Sequence, residues 1–468
     1  MKIQTLSRPL VLFLTVTLFL AGAAFLPHNL DLGLFSTKKF LPYIDVLPDS
    51  VQDEIFYELE NSESVSLAGM VPSLQGSAYQ GLEQVIEAYR DGKLTEAGLT
   101  AALANVGITG NVQQLSHFFQ ALKNSKGSKV RIAYFGDSGI EGDNITADFR
   151  EILQTKYGGQ GVGFLSITSQ DISFRSSIKQ TFSNDWNAHA ISNPGKVRNP
   201  VGFNGSVSVP KSGSWVNFEG TFRYKTVRQF NTARILYSDA KASSIDYWFG
   251  NEKKSAQLKA GGFQELVLTA STDVKSFKFA ATQGDQAKFY GVSLESGNGV
   301  YVDNFPIRGN TGIGLKEISS QMHKNFDKFL NYKLIILHFG MNILDGNSKD
   351  FGWYERDMAK IVSQLKSDNP DCSILIIGVG DRSQKRGTSL ATHPNVSKVL
   401  DAQKKIAQDA GVAIWSLFDA MGGENTMVRW AAEKPALASQ DYTHYTLEGA
   451  KKVADLLSSA LLNEAKKF

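Results

Sequence analysis

One serine in the chain lies where a nucleophile is expected if the protein folds around a parallel sheet. Gly136-Asp137-Ser138 directly follows a β-rich apolar run, residues 130–135, and precedes a helical stretch. The carboxyl ends of parallel strands carry the sites of α/β proteins, and the N–H groups at the start of a helix can bind an anion. Ser138 is therefore a candidate nucleophile. The alternative is that Asp137 and Ser138 only cap the next helix.

An aspartate and a histidine near the C-terminus could supply the base that such a serine needs. Asp441-Tyr442-Thr443-His444 spaces them three residues apart, so both side chains can lie on one side of a turn. The carboxylate can then hold one ring nitrogen while the other ring nitrogen faces a serine hydroxyl. Capping by Asp441 and Thr443, with His444 on the surface, would produce the same pattern without catalysis.

A third motif, Gly340-Met341-Asn342, places an amide at the end of the apolar run 334–339. From there Asn342 could donate a hydrogen bond to a developing oxyanion, although Gly and Asn are also the usual residues of an ordinary turn. Position favours chemistry, because the serine ends the first predicted strand, the amide ends a middle strand, and the Asp/His pair follows the last strand. All three would lie on one rim of one sheet, where they can converge on a substrate.

The elements that must position these motifs are strands and helices in alternation. Such alternation predicts a parallel sheet with helices on both faces. After the first strand, further strands are predicted at 334–339, 373–379 and 412–417, and helices at 145–153, 315–329, 354–365, 397–410 and 446–462.

The middle of the chain differs in character and predicts an inserted β-sandwich over 165–301. Short alternating runs such as Val207-Ser208-Val209 and Trp215-Val216-Asn217-Phe218 are separated by Gly, Asn, Ser and Asp. The α/β domain would then comprise residues 128–164 and 302–468. Aromatic residues in the insert could stack on sugar rings or pack its core, and the sequence leaves both open: Trp186, Trp215, Tyr247 and Trp248.

The N-terminus predicts export. Lys2 and Arg8 precede an uncharged apolar run over 10–26, and Ala21-Gly22-Ala23 fits a cleavage site. Residues 1–27 are therefore interpreted as a signal peptide or a retained membrane anchor, which the sequence does not separate. Residues 28–127 are interpreted as a stalk and a helical region, whose helices could be a spacer, a docking surface or part of the active-site wall. We expect a periplasmic or cell-envelope location.

Composition excludes several classes of protein. The chain has 468 residues, more than the roughly 100–200 of a usual domain, so it has room for this insertion. The 49 basic and 46 acidic residues nearly balance, which argues against a nucleic-acid partner. The single cysteine, Cys372, excludes an internal disulfide and a cysteine-rich zinc site.

Taken in order, Gly136-Asp137-Ser138, a later glycine, Gly340-x-Asn342 and Asp441-x-x-His444 resemble the motifs of the SGNH (GDSL-type) hydrolase family. The resemblance covers about 130–164 and 304–462 and implies a flavodoxin-like α/β fold. More narrowly, the chain is similar to exported peptidoglycan O-acetylesterases of that family, which carry a carbohydrate-binding-module-like sandwich at the position of this insert.

The resemblance implies a role for each motif. Ser138 would be the nucleophile, His444 its base and Asp441 the residue that orients the imidazole. The oxyanion hole would combine the Ser138 N–H, the Asn342 amide and a glycine N–H. Arg308-Gly309-Asn310-Thr311-Gly312 offers two glycines, of which Gly312 is favoured and Gly309 is kept. Asp137 is interpreted as a turn-stabilising residue.

We therefore predict a serine esterase that removes O-acetyl groups from a cell-wall polysaccharide through an acyl-serine intermediate, with no metal or organic cofactor. The partners would be an O-acetylated glycan such as peptidoglycan and, if the first segment is uncleaved, the inner membrane. The same triad would serve a polysaccharide O-acetyltransferase, and a lipase or thioesterase is possible within the family. A non-catalytic polysaccharide-binding protein is the alternative from another class.

Overall fold

A computed structural model describes residues 106–193, 199–241, 243–282, 287–344, 350–387 and 389–468. The predicted signal or anchor at 1–27, the stalk and the first predicted helices lie outside these residues. Within the described ranges, no helix has the length and apolar character of a membrane span.

Strands and helices have the following bounds. The strands are β1 (Thr109–Gly110), β2 (Lys129–Gly136), β3 (Gln160–Leu165), β4 (Ile178–Phe182), β5 (Asn187–Ala190), β6 (Ser206–Val209), β7 (Trp215–Gly220), β8 (Phe230–Ser238), β9 (Ser243–Phe249), β10 (Glu252–Leu258), β11 (Gln264–Val274), β12 (Ser276–Ala281), β13 (Lys288–Ser296), β14 (Gly299–Pro306), β15 (Tyr332–His338), β16 (Ser373–Gly378), β17 (Ser383–Arg386), β18 (Ser389–Thr392) and β19 (Ala413–Ser416). The α-helices are α1 (Ser116–Lys123), α2 (Thr146–Tyr157), α3 (Ser320–Leu330), α4 (Gly352–Asp368), α5 (Val396–Ala410), α6 (Leu417–Met421), α7 (Thr426–Ala432) and α8 (Leu447–Ala465). Short 3-10 turns occur at Val112–Leu115, Ser138–Asp143, Lys225–Val227, Ile313–Glu317 and Met341–Ile343.

The central sheet has the strand order β14-β2-β15-β16-β19, all parallel, and β1 adds antiparallel to the β19 edge. In chain order within the parallel part this is 2-1-3-4-5, the flavodoxin-like arrangement. Order reverses between β2 and β15, so a crevice opens where these two strands end. Ser138 follows β2 and Asn342 follows β15, so both border this crevice. The predicted α/β fold is confirmed.

Helices cover both faces of this sheet. Along β2, Ala133 and Phe135 face α3, α4 and α5, whereas Ile132 and Tyr134 face α1, α2 and α8. Burial on both faces explains why the strands are continuous apolar runs. Helix α1 therefore packs against the sheet, so this part of the helical region belongs to the core of the α/β domain. Helix α3 begins later than predicted because Ser319 caps it, accepting from the Met322 N–H at 3.3 Å.

The insert is a β-sandwich, as predicted. One antiparallel sheet has the order β10-β9-β12-β7-β4, and the other has β11-β8-β13-β6-β5 with β3 also paired to β13. Alternate residues of β9 point inward, including Ile245, Tyr247 and Phe249, and pack between the sheets. The sandwich strands begin at Gln160, before the predicted boundary at 165. Strand β14 starts at Gly299 and belongs to the parallel sheet, a strand that the sequence analysis did not identify.

A buried ionic cluster joins the sandwich to the parallel sheet. Arg131 on β2 donates to both carboxylate oxygens of Asp303 on β14 at 2.8 Å and also pairs with Glu295 on β13. Tyr332 donates to Asp303 at 2.8 Å. Burial by itself would raise the pKa of Glu295, but Arg131 and two further cations lower it to about 2. The sandwich and the parallel sheet are therefore linked by buried ion pairs in which Arg131 neutralises a carboxylate from each of them.

Candidate active site

Ser138 lies immediately beyond β2, at the start of the 3-10 turn Ser138–Asp143. The turn passes close to the end of β15: a Cβ on Gly136 would lie 3.0 Å from the His338 carbonyl oxygen and 2.9 Å from the Ile140 side chain. Glycine is therefore required where the chain turns out of the sheet. The Ser138 side chain is half-buried. The turn thus presents the hydroxyl at the crevice between β2 and β15.

The structure brings the predicted serine, histidine and aspartate together. Ser138 Oγ lies 3.1 Å from His444 Nε2, and His444 Nδ1 lies 2.7 Å from Asp441 Oδ2. Both distances are within hydrogen-bond reach, so the three side chains form a continuous relay. Ser138 and His444 are 306 positions apart in the sequence, so only the fold creates this contact.

Asp441 is held by the loop that precedes α8. Its Oδ1 accepts hydrogen bonds from the backbone N–H groups of Thr443 and His444, both at 3.0 Å, which leaves Oδ2 for the imidazole. Helix α8 is capped instead by Thr446, whose hydroxyl accepts from the Gly449 N–H at 3.2 Å. The capping alternative for Asp441 therefore does not apply.

The charge on Asp441 is stabilised by these contacts. Partial burial raises the pKa of the Asp441 carboxyl group. The hydrogen bonds from the His444 ring and from the two backbone N–H groups lower it, and together they outweigh burial, so the pKa is below its ordinary value. About half of each side chain remains exposed, 50% for Asp441 and 47% for His444. Asp441 is thus held in its ionised form, and its contact with His444 is partly screened by solvent.

Asn342 is placed at the mouth of the crevice by the turn after β15. Its Nδ2 donates to Asp137 Oδ2 at 3.0 Å and to the Asn310 carbonyl oxygen at 3.1 Å. Asp137 also accepts from the Gly139 N–H at 2.9 Å. Burial raises the pKa of Asp137 to about 6, against the opposing effects of Gly139, His444 and Asn342. Asp137 therefore stabilises the turn that carries Ser138, as the sequence analysis predicted, and it also holds the side-chain amide of Asn342, which the sequence analysis did not predict.

The two candidate glycines differ in their surroundings. Gly312 is buried, and its N–H donates to the Asn310 side-chain oxygen at 2.8 Å. Its φ is +97°, and a Cβ there would lie 2.9 Å from Met358. Gly312 thus shapes the loop, and its N–H is bonded to Asn310 in this structure, so its role in the oxyanion hole stays a prediction. Gly309 is exposed, with φ +70° and open space around it.

A small cavity of about 20 Å³ adjoins Ser138 and His444. Its wall includes Val379, Gly380 and Tyr445, which the sequence analysis missed. Gly380 leaves space for the tyrosine, because a Cβ there would lie 2.7 Å from Tyr445 Oη. Such a volume holds a group of about the size of one water molecule or methyl group.

One of the remaining histidines lines this cavity. His338 faces it, and its Nδ1 lies 3.1 Å from the Tyr134 hydroxyl oxygen. Burial lowers the pKa of His338 to about 4, so its ring is neutral at pH 7. His393 is also buried, but it lies outside the cavity lining.

The aromatic residues of the insert divide into two groups. Trp186 and Tyr247 are buried in the sandwich core. Trp215 and Trp248 are half-buried on the outer face of the five-stranded sheet, with the Lys278 ammonium 4.8 and 5.1 Å from their ring centres. Core packing is therefore the role of the first pair only.

The fold and the relay together define an α/β protein of flavodoxin-like strand order with a Ser-His-Asp set at the switch point. The chain matches no protein-family model and no curated protein. Among solved structures it is similar to a peptidoglycan O-acetylesterase, with a TM-score of 0.64 and 19% identity, over 77% of this chain and 99% of that chain. This likeness shows that the two share a fold.

Two other solved structures are matched at lower similarity. They are family two carbohydrate esterases from Cellvibrio japonicus and from Clostridium thermocellum, the latter in complex with cellohexaose. Both are 10% identical and cover 62% of this chain, with 98% and 100% of their own chains and TM-scores of 0.25 and 0.26.

Proposed function

We propose that this protein is a serine esterase that removes O-acetyl groups from a cell-wall polysaccharide, most simply peptidoglycan. The observation that carries the proposal is the relay from Ser138 through His444 to Asp441, with distances of 3.1 and 2.7 Å. A serine hydroxyl is a weak nucleophile until a base in hydrogen-bond contact takes its proton. The relay provides that base and a carboxylate to orient it.

In the first half-reaction, His444 Nε2 takes the Ser138 proton as Oγ attacks the acetyl carbonyl carbon. Asp441 stabilises the imidazolium that forms. Collapse of the tetrahedral intermediate breaks the bond to the sugar oxygen, which leaves with the proton from His444. In the second half-reaction, His444 takes a proton from water as the water oxygen bonds to the acyl carbon. The bond from that carbon to Ser138 Oγ then breaks, His444 returns the proton to Oγ, and acetate leaves.

The oxyanion would be bound by backbone and amide N–H groups beside the serine. The Asn342 side-chain amide now donates to Asp137 and to the Asn310 carbonyl oxygen. We propose that one of these hydrogen bonds is replaced by a hydrogen bond to the oxyanion. Since the backbone N–H of Gly312 holds the loop through the Asn310 side chain, we propose Gly309, three residues beyond the end of β14, as the glycine donor. Preorganised donors of this kind each contribute about 10²–10³ in rate.

The substrate class follows from the cavity and from the likeness of fold. A cavity of about 20 Å³ beside the nucleophile has room for the methyl of an acetyl group, which favours a short acyl group at Ser138. The similar solved structure is a peptidoglycan O-acetylesterase, which supports a cell-wall glycan as the acetyl donor.

The location belongs to the same proposal. We place the protein in the periplasm or cell envelope because residues 1–27 have the basic flank, apolar run and small residues of an export signal. N-terminal sequencing of protein from the envelope fraction would distinguish a cleaved signal, starting near residue 24, from an anchor that retains Met1.

The proposal is tested by acetate release from O-acetylated peptidoglycan. The full chain should release acetate, Ser138→Ala should lose several orders of magnitude in rate, and the exposed Ser212→Ala should match the parent. No release by the parent, with or without sugar acceptors, would leave a non-catalytic binding protein. Release that appears only as acetyl transfer to an added sugar would replace the esterase by an O-acetyltransferase.

A further inference from the structure

A larger cleft lies beside the catalytic crevice, between the inserted sandwich and the rim of the parallel sheet. It has a volume of about 300 Å³, at the lower end of the range of ligand-binding pockets. One wall comes from the sandwich, including Ala188 and Ser206 on β5 and β6, and the other from the end of β14, including Asn304 and Arg308. The reaction proposed above does not use this cleft.

The cleft is continuous with the proposed active site through two chain segments. Glu141 belongs to the same turn as Ser138, and Arg308 directly precedes Gly309. Their side chains form an ion pair of 2.7 Å, with Glu141 8% exposed and Arg308 62% exposed. Burial raises the pKa of Glu141, and the neighbouring Arg308 guanidinium opposes that rise.

The lining chemistry points to a neutral ligand rich in hydroxyl groups. Its ionised side chains balance, since Glu141 pairs with Arg308 and Asp171 pairs with Arg175 at 2.8 Å. A charged ligand would therefore meet four charges that already have partners, and its own charge would lack an opposite charge to pair with among them.

Amides and an aromatic ring complete the lining. Asn204 and Asn304 both line the cleft, and the side-chain oxygen of each is buried with no hydrogen-bond partner among the described residues. The Nδ2 of Asn204 donates to the hydroxyl groups of Ser166 and Ser206, which also line the cleft, so this wall offers polar groups to a ligand. Half-buried Phe182 adds an apolar surface of the kind on which a sugar ring can pack.

We propose that this cleft binds sugar residues of the glycan next to the residue that carries the acetyl group. The inference rests on the proposed function, because the cleft would then align a polymer with Ser138. Glu141 and Arg308 would bind hydroxyl groups at the boundary between the cleft and the catalytic crevice. The inserted sandwich would contribute to substrate choice through the wall that faces the active site.

The test compares a polymer with a small ester. Ala188→Trp places a bulky ring in the cleft at a half-buried position of β5, and Ala280→Trp makes the same change on β12, outside the cleft lining. For each full-length variant, kcat/KM is measured on O-acetylated peptidoglycan and on p-nitrophenyl acetate. We expect the polymer-to-ester ratio to fall at least tenfold for Ala188→Trp and to match the parent for Ala280→Trp.

Binding separates this inference from the proposed function. In the Ser138→Ala background, calorimetry with a tetramer of β-1,4-linked N-acetylglucosamine should show binding that Ala188→Trp abolishes and Ala280→Trp retains. An unchanged polymer-to-ester ratio in an active Ala188→Trp enzyme would overturn the cleft and leave the esterase standing. If the parent releases no acetate, the esterase fails, and the calorimetric comparison still decides the cleft. Absence of binding to the Ser138→Ala protein would likewise overturn the cleft.

Discussion

Replacing Asp441 by asparagine should impair the enzyme more than replacing it by alanine. Oδ1 of Asp441 accepts from two backbone N–H groups, at 3.0 Å each, so this position requires an oxygen. In Asp441→Asn the amide oxygen must therefore take that place, and the NH₂ group must face His444 Nδ1. Nδ1 becomes an acceptor, and the ring proton moves to Nε2, towards Ser138. An imidazole protonated there cannot take the serine proton.

The magnitudes follow from exposure and hydrogen bonding. Opposite charges about 4 Å apart interact by about 1 kcal/mol in water and about 4 kcal/mol near a protein surface. Because Asp441 and His444 are each about half exposed, we take about 2 kcal/mol, a loss of about 30-fold in kcat for Asp441→Ala. In Asp441→Asn, the ring must also give up the new hydrogen bond from the asparagine NH₂ group before it can adopt the tautomer that accepts the serine proton. Breaking that bond costs about 1–3 kcal/mol more, so the total loss in kcat is about 10³-fold.

The assay is kcat on p-nitrophenyl acetate for the parent and both variants, with thermal unfolding to confirm that the loop change leaves each variant folded. The ¹⁵N chemical shifts of His444 report the tautomer directly and should place the proton on Nε2 only in Asp441→Asn. If folded Asp441→Asn is as active as Asp441→Ala, or keeps the Nδ1-protonated ring, the orientation argument is wrong.

Three further outcomes are expected. Asn342→Ala should lower kcat by about 10²–10³ with little change in KM, because it removes an oxyanion donor, whereas exposed Asn298→Ala should match the parent; an equal effect of both would exclude the donor role. Arg131→Met should reduce the free energy of unfolding by about 3–5 kcal/mol in urea at pH 7, since it leaves buried carboxylates without their main cation, and a loss below about 1 kcal/mol would refute this. The pKa of Glu295 is lowered from 4.5 to about 2, so its ionised form contributes about 3 kcal/mol to the free energy of unfolding above pH 4.5, and this contribution is lost as pH falls through 2. The free energy of unfolding of the parent should therefore fall between pH 4.5 and 2, and that of Glu295→Gln should fall less over the same range.

Ser138 and Asn342 could be found in the sequence because each follows the end of a strand, and Asp441 and His444 because they form a short motif after the last strand. Apolar runs that precede Gly136 and Gly340 are long enough to identify as buried strands, and their ends locate Ser138 and Asn342. By contrast, β14 escaped detection: Gly299–Pro306 includes Asp303 and Asn304, polar residues that resemble a loop. Asp303 is tolerated there only because Arg131 and Tyr332 satisfy it, and those partners come from other strands.

The choice between Gly309 and Gly312 as oxyanion donor is another feature that the sequence alone does not decide, here within a single loop. In the sequence, Gly309 and Gly312 are equivalent members of one short motif. Only the folded loop shows that Asn310 turns its side chain back onto the N–H of Gly312. The distinction depends on a rotamer and on backbone dihedrals, which the residue types do not specify.

By itself, then, the sequence determined the α/β class and the inserted sandwich, and it singled out the serine, histidine, aspartate and asparagine as candidate site residues. These depend on local patterns, namely the period of apolar residues and the short motifs at strand ends. Tertiary structure alone decided which side chains contact one another: the 3.1 Å approach of Ser138 and His444, the support of Asn342 by Asp137, and the cleft between sandwich and sheet. Such contacts join residues hundreds of positions apart, and the order of strands and the packing of the two domains determine them.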